Sequence, residues 1–177
     1  MGFNVGVIGC GRWGSRHIDT LLHLKSQGFI EKIYACDINP SRLNMLSPGV
    51  DGFFLDWREM VHSDELDLIS IVTPNSTHTS FAIALLELGM NVLVEKPLGV
   101  SLSEVRLLSA AAEKSTGSLF SGYLLHHHSG VQYAKNLIKA EKIGRVKSIR
   151  YTKSSSRNKP VGADVIQNLA SHAFSII

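Results

Sequence analysis

The sequence predicts an α/β fold: a doubly wound parallel sheet over residues 1–121, followed from residue 122 by the start of an α+β unit. Three observations carry that prediction. Apolar runs of strand length alternate with stretches of helical spacing up to about residue 121, the pattern of a parallel sheet covered on both faces. The run at residues 3–8 leads into Gly9-Cys10-Gly11-Arg12-Trp13-Gly14, which opens a helical stretch. A second strand-like run, residues 30–36, ends at Asp37.

In chain order, the glycines come first. Strand, G-x-G-x-x-G, then helix is the context in which each glycine has a mechanical role. Gly9 makes the turn out of the strand, Gly11 lets a pyrophosphate approach the backbone, and Gly14 lets the helix pack closely. The N–H groups and positive end of that helix suit the phosphate charge. Ile18, Leu21, Leu22 and Leu24 share one helical face, and Gly28 supplies the stop. Asp37 stands where a carboxylate accepts hydrogen bonds from an adenosine ribose, and its charge would repel a 2′-phosphate. That favours NAD over NADP. Arg42 keeps NADP open, because a cation in the next turn can hold the extra phosphate; a solvated helix residue is the bland alternative.

The turn Asn39-Pro40-Ser41 suits a helix start, with a short helix over residues 42–46 that Pro48-Gly49 ends. A strand at 52–55 precedes Asp56, a good N-cap for a helix over 57–62. The apolar run 66–72 reads as a buried strand stopping at Thr73-Pro74-Asn75, with Ser76 or Thr77 as cap of the helix that follows and Gly89 closing it. Residues 91–94 form the next strand, with Glu95-Lys96-Pro97 at its carboxyl end. Ser101 with Glu104 spells a capping box for a helix to Lys114, and a strand follows at 119–122. Ligands of doubly wound sheets bind beyond the carboxyl ends of the strands, so residues 9–14, 73–78 and 95–97 are expected to converge there.

Beyond residue 122 the pattern changes. Residues 130–141 read as a helix, 146–152 as a strand of alternating character, and 154–162 as a polar loop. A helix is predicted from Asp164 to the end. The apolar ending Phe174-Ser175-Ile176-Ile177 makes this second unit read as truncated.

The chain has 177 residues, of which 44% are hydrophobic and 19% charged, with a net charge of +3. These values fit a globular protein and argue against disorder. The basic residues are scattered except at 135–150, where Glu141 interrupts them, so a solvated face is expected rather than a nucleic-acid surface. Cys10 and Cys36 are too few for a disulfide framework, no run spans a bilayer, and no cationic leader precedes the first strand. A cytoplasmic protein without membrane partners is the expectation. In His126-His127-His128 an extended segment puts only 126 and 128 on one side, without a third ligand, so no metal site is predicted. Trp13 and Trp57 read as packing or rim residues, and no Ser/His/acid or Cys/His arrangement has a supporting context.

Taken together, Val7-Ile8-Gly9-Cys10-Gly11-Arg12-Trp13-Gly14, Thr73-Pro74-Asn75 with His78, and Glu95-Lys96-Pro97-Leu98 resemble the Gfo/Idh/MocA oxidoreductases. The similarity runs on through Gly122-Tyr123 and Ile143-Gly144-Arg145-Val146 to Asn168-Leu169-Ala170-Ser171-His172, covering the chain. That last segment looks most like the branch acting on nucleotide-linked sugars. The resemblance implies a Rossmann dinucleotide-binding domain over 1–121 and, from 122, the start of a domain carrying substrate site and oligomer interface. It implies hydride exchange between NAD, or NADP, and a sugar, sugar derivative or nucleotide-sugar, in a homo-oligomer. Members are about twice this long.

By the same resemblance, His172 is the base, Lys96 hydrogen-bonds the reacting oxygen, and Asn168 stands where the family has an aspartate. Asparagine can orient the imidazole but carries no charge to stabilise its protonated form, so weakened catalysis is expected. The cofactor set comprises Gly9, Cys10, Gly11, Arg12, Trp13, Gly14, Asp37, Thr73, Asn75, His78, Glu95, Lys96 and Pro97. Six of the site residues have a bland alternative: a solvated strand end for Lys96, a surface or core histidine for His172, a turn or cap residue for Asp37, turn formers for Thr73 and Asn75, and a helix-surface residue for His78. The rival function is a weak or inactive nucleotide-binding family member serving as a sensor or interaction subunit.

Overall fold

A computed structural model describes residues 2–154, 166 and 170–176. The chain divides into two compact units, Met1–Ser121 and Gly122–Ile177.

The first unit is a six-stranded parallel sheet in the order β3-β2-β1-β4-β5-β6. Its strands are β1 (Phe3–Ile8), β2 (Ile30–Cys36), β3 (Gly52–Phe54), β4 (Leu68–Ile71), β5 (Val92–Val94) and β6 (Leu119–Ser121). Helices α1 (Arg12–Ser26), α2 (Pro40–Leu43), α3 (Trp57–Ser63), α4 (His78–Glu87) and α5 (Leu102–Lys114) connect them. Alternation along the strands divides the core. Val5 and Val7 pack with Ile18, Leu21 and Leu43 of α1 and α2, whereas Ile8, Ile69 and Ile71 pack with Met60, Leu85 and Leu108 of α3, α4 and α5.

The register aligns the carboxyl ends. Phe54 lies beside Cys36, Cys36 beside Ile8, Ile8 beside Ile71, Ile71 beside Val94 and Val94 beside Ser121. Whatever follows each strand therefore emerges along one edge. Strand order reverses between β1 and β4, and such a reversal opens a crevice there.

Local signals held where side chain and backbone could meet. Asp56 caps α3 as expected, accepting from the Arg58 N–H, and Asn39 caps α2 by accepting from the Ser41 N–H, so that this helix covers Pro40–Leu43 and not the expected residues 42–46. At α5, Ser101 accepts the Glu104 N–H at 3.2 Å, but the Glu104 carboxylate reaches one residue further back than a capping box requires, to the Val100 N–H at 2.8 Å. Neither Ser76 nor Thr77 caps α4. A 3₁₀ turn, Asn75–Thr77, runs straight into it, and the Thr77 hydroxyl is turned to Thr73 and the Pro74 carbonyl.

In the second unit, a 3₁₀ turn (Leu124–His127) precedes α6 (Ser129–Lys139), and α7 covers Ser171–Phe174. The histidine triplet is thus not extended as expected: the tight turn brings the His126 and His127 rings edge to face at 5.2 Å. The expected strand at 146–152 is not formed. Those residues pair with no neighbour among the described residues, and alternation without a partner does not make a ladder. The predicted loop at 154–162 and the helix from Asp164 fall almost wholly outside the described residues. Among described residues no helix is long and apolar enough to cross a membrane.

Candidate cofactor and active site

The first loop of the edge follows β1. Gly9 has φ +94, and a Cβ on it would stand 2.7 Å from the Val72 carbonyl oxygen. A Cβ on Gly14 would overlap the Gly9 carbonyl, so α1 packs on the strand only because none is there. Gly11 is the N-cap of α1 without a side-chain cap, and a Cβ on it would meet nothing nearer than Arg42 Nη1 at 4.0 Å. The result is an open concavity at a helix N-terminus whose first N–H groups lack intrahelical partners. No acidic residue sits in the first turn, and the exposed Arg12 guanidinium lies 5.7 Å from the Trp13 ring centre. This arrangement fits a dinucleotide's pyrophosphate.

Asp37 is almost fully buried. Its Oδ2 accepts from the Cys10 N–H at 2.8 Å and pairs with Arg42 Nη1 at 3.2 Å, while Oδ1 accepts from the Asn39 N–H at 2.9 Å. The carboxylate therefore ties the glycine loop to the end of β2, and its charge is compensated by Arg42. The expected repulsion of a 2′-phosphate is weakened accordingly. Cys10 and Cys36 are buried free thiols, with Cys10 Sγ donating to the Cys36 carbonyl at 3.5 Å. Burial, aided by neighbouring Asp37 and Cys10 respectively, pushes both thiols up to about 12, which leaves neither as a nucleophile.

The next two loops are joined by one side chain. His78 is buried, with Nδ1 2.7 Å from the Pro97 carbonyl and Nε2 2.8 Å from the Thr73 carbonyl. It is no helix-surface residue, and both ring nitrogens are spent on main chain, so it braces the loops instead of facing a ligand. Thr73 accepts the Thr77 hydroxyl at 2.8 Å, and Asn75 opens the 3₁₀ turn. The Lys96-Pro97 peptide is cis. Lys96 is half-buried, and its N–H donates to Glu95 Oε2 at 3.1 Å.

One constellation was not legible in the sequence. His17, one turn along α1 from Gly14, has Nδ1 3.0 Å from Ser70 Oγ on β4 and Nε2 3.0 Å from Glu95 Oε1. Burial alone would raise the Glu95 carboxyl. The hydrogen bond and charge of His17, with the Lys96 N–H and ammonium, outweigh it and hold the carboxyl below the ordinary glutamate range. A Ser/His/acid line therefore does exist here, contrary to expectation. Ser70 lies buried in mid-strand, so no substrate carbonyl reaches it. The G-x-x-G-x-x-H spacing from residue 11 was the one available signal.

Residues 9–14, Asp37, Thr73, Asn75, His78 and 95–97 thus stand along one edge of the first unit. His172 stands on α7 in the second unit, and Asn168 lies outside the described residues. Among described residues no three His, Cys, Asp or Glu side chains group to hold a metal.

A family model for Gfo/Idh/MocA, described as an oxidoreductase family with an NAD-binding Rossmann fold, matches residues 3–123. A myo-inositol 2-dehydrogenase of Thermotoga maritima is 24% identical over 180 residues, covering 97% of this chain and 53% of its own. Among solved structures, a myo-inositol 2-dehydrogenase of Lactobacillus plantarum aligns with a TM-score of 0.74 at 26% identity, over 82% of this chain and 43% of that one. A scyllo-inositol dehydrogenase of Lactobacillus casei, with bound NAD(H) and scyllo-inositol, aligns with a TM-score of 0.70 at 25% identity, over 81% and 43%. The chain spans about half the length of such relatives.

Proposed function

The chain belongs to the Gfo/Idh/MocA oxidoreductase family, and from that premise we propose that it transfers hydride between a nicotinamide cofactor and a hydroxyl-bearing carbon of a sugar or cyclic polyol. The observation that carries this reading is the shared edge: the glycine concavity at the N-terminus of α1 and Lys96 at the end of β5 border the same crevice, with only β4 between their strands. The N–H groups at the start of α1 would hold the pyrophosphate, with Arg12 supplying charge. Asp37 has three of its roughly four acceptor positions occupied, which leaves one for a ribose hydroxyl. NAD is the proposed cofactor, and the Arg42 cation makes NADP acceptable. When bound, the cofactor takes up the hydride.

In this reading the Lys96 ammonium donates to the reacting oxygen and offsets its growing negative charge, while His172 takes the hydroxyl proton. Thr73, Asn75 and Pro97 shape the crevice wall, held by His78. An asparagine at position 168 in place of the family's aspartate offers a protonated His172 no compensating charge. Asn168→Asp is expected to raise turnover about tenfold; no rise with cofactor binding intact would overturn that role. The names of the inositol dehydrogenases that it resembles support a cyclic polyol as substrate.

Residues 122–177 are proposed as the beginning of a substrate and self-association domain, with a homo-oligomer as the working form; a soluble monomer by light scattering would count against it. Buried reduced thiols suit a cytoplasmic setting. Calorimetric titration with NADH and NADPH tests the proposal first. Binding of NADH supports it, and binding of neither would remove its physical basis.

A further inference from the structure

Lys96 sits just beyond the last ladder bond of its strand. The Glu95 N–H still donates to the Ile71 carbonyl at 3.0 Å, but the Lys96 N–H has left the sheet and is held by the Glu95 carboxylate. That carboxylate is divided between two tasks: Oε2 accepts from Lys96, and Oε1 faces His17. The His17 ring is fixed at its other nitrogen by Ser70. Downstream of Lys96, the Pro97 carbonyl is fixed by His78. The Lys96 N–H is therefore held not by the sheet but by the Glu95 carboxylate, which His17 holds in turn, while His78 fixes the chain one residue further on.

We propose that His17 is a positioning residue for Lys96: by holding one oxygen of Glu95 it aims the other at the Lys96 N–H, and so sets the point from which the Lys96 amine reaches the reacting oxygen. The groups facing the ring are Ser70 from β4 and Glu95 from the end of β5. This proposal rests on the reading of Lys96 as the cation at the reacting oxygen. Its physical basis is that an orienting group acts by fixing the rotamer and direction of the group that touches substrate. Removing it lets the Glu95 side chain rotate and frees the Lys96 peptide to tilt, and a displacement near 1 Å costs on the order of a hundredfold in rate.

The test uses the full chain with His17→Leu, which fills the space without hydrogen-bonding, and His17→Gln, whose amide carries both a donor and an acceptor. With NAD and myo-inositol as probes, His17→Leu is expected to lower kcat by about 10–100-fold with KM for NAD changed less than about twofold, and His17→Gln to restore most of the loss. In the cofactor-free chain labelled with ¹⁵N-lysine, the Lys96 amide resonance is expected to move in His17→Leu and to return toward its wild-type position in His17→Gln. Should His17→Leu fail to fold, Ser70→Ala frees one nitrogen of the same ring with a smaller cavity, and the Lys96 amide is expected to move in the same direction by less. An unmoved Lys96 amide overturns the proposal, as does a loss of cofactor affinity that matches the loss of kcat. A wild-type chain without turnover on myo-inositol would count against that polyol as substrate instead, and the amide resonance would still decide the positioning.

Discussion

The two units of this chain spend their apolar residues differently. In the first, alternating strand positions and one face of each helix close on each other until Val7, Ile33, Met60, Ile69, Ile71, Leu85, Val92 and Val94 expose nothing. In the second, α6 carries Val131, Ala134, Leu137 and Ile138 on one face and buries no residue, and Ala173 and Gly122 are the only buried residues among those described. Both units contain amphipathic helices, but among the described residues only the first has a paired sheet to cover. A periodic pattern becomes a core when a second layer exists to receive it. Stability and the glycine concavity therefore reside together in residues 1–121.

The sharpest way to break this contrast is at the point where packing and site coincide. In Gly14→Ala the new methyl meets the Gly9 carbonyl, which is backbone and cannot rotate away. The variant is expected to lose about 3 kcal/mol in urea unfolding and to show no measurable NADH binding by calorimetry. Next in size is a paired truncation. Met60→Ala, beneath β1 with no exposed surface, is expected to cost about 2–5 kcal/mol, whereas Ile138→Ala on exposed α6 is expected to cost less than about 1 kcal/mol. Equal costs would show that the second unit shares the core of the first.

The same contrast explains what could be read in advance. The strands of the first unit, the turns at Gly9, Gly28 and Gly89, and the caps at Asn39, Asp56 and Ser101 follow from neighbours within a few residues, and those rules act locally. The convergence of residues 9–14, 73–78 and 95–97 followed from the rule that parallel strands share their carboxyl edge. What stayed hidden depends on long-range pairing. His17 meets Ser70 and Glu95 across gaps of 53 and 78 residues, and His78 meets Pro97 across the cleft between two loops. The strand expected at 146–152 failed for the complementary reason, since alternation says nothing about whether a partner strand stands beside it.

Acid separates the pair at Glu95 from the exposed charges. Its folded carboxyl lies below its unfolded value, so the stabilisation is fully present above the unfolded value and fades as pH falls through the folded one. In a urea series at falling pH, Glu95→Gln is therefore expected to flatten the loss of stability below about pH 4.5, and His17→Leu to do the same by removing what lowers the carboxyl. If both variants keep the wild-type acid profile, the pair contributes nothing to the fold.

The smallest effect compares one device used in both units. Ser101 caps α5 by accepting from the Glu104 N–H, and His128 caps α6 by accepting from the Gly130 N–H, both at 3.2 Å. The geometry is the same, but the consequence differs with what the helix covers. α5 buries Leu108 against α4 and the sheet, so fraying its first turn is coupled to the core, and Ser101→Ala is expected to cost about 1 kcal/mol. α6 buries nothing, so its first turn can open without unfolding anything else, and His128→Ala is expected to fall within about 0.5 kcal/mol of wild type. Hydrogen exchange at Glu104 and Gly130 reads the two openings separately: slowed exchange at Gly130 with fast exchange at Glu104 would reverse the assignment of stability to the first unit.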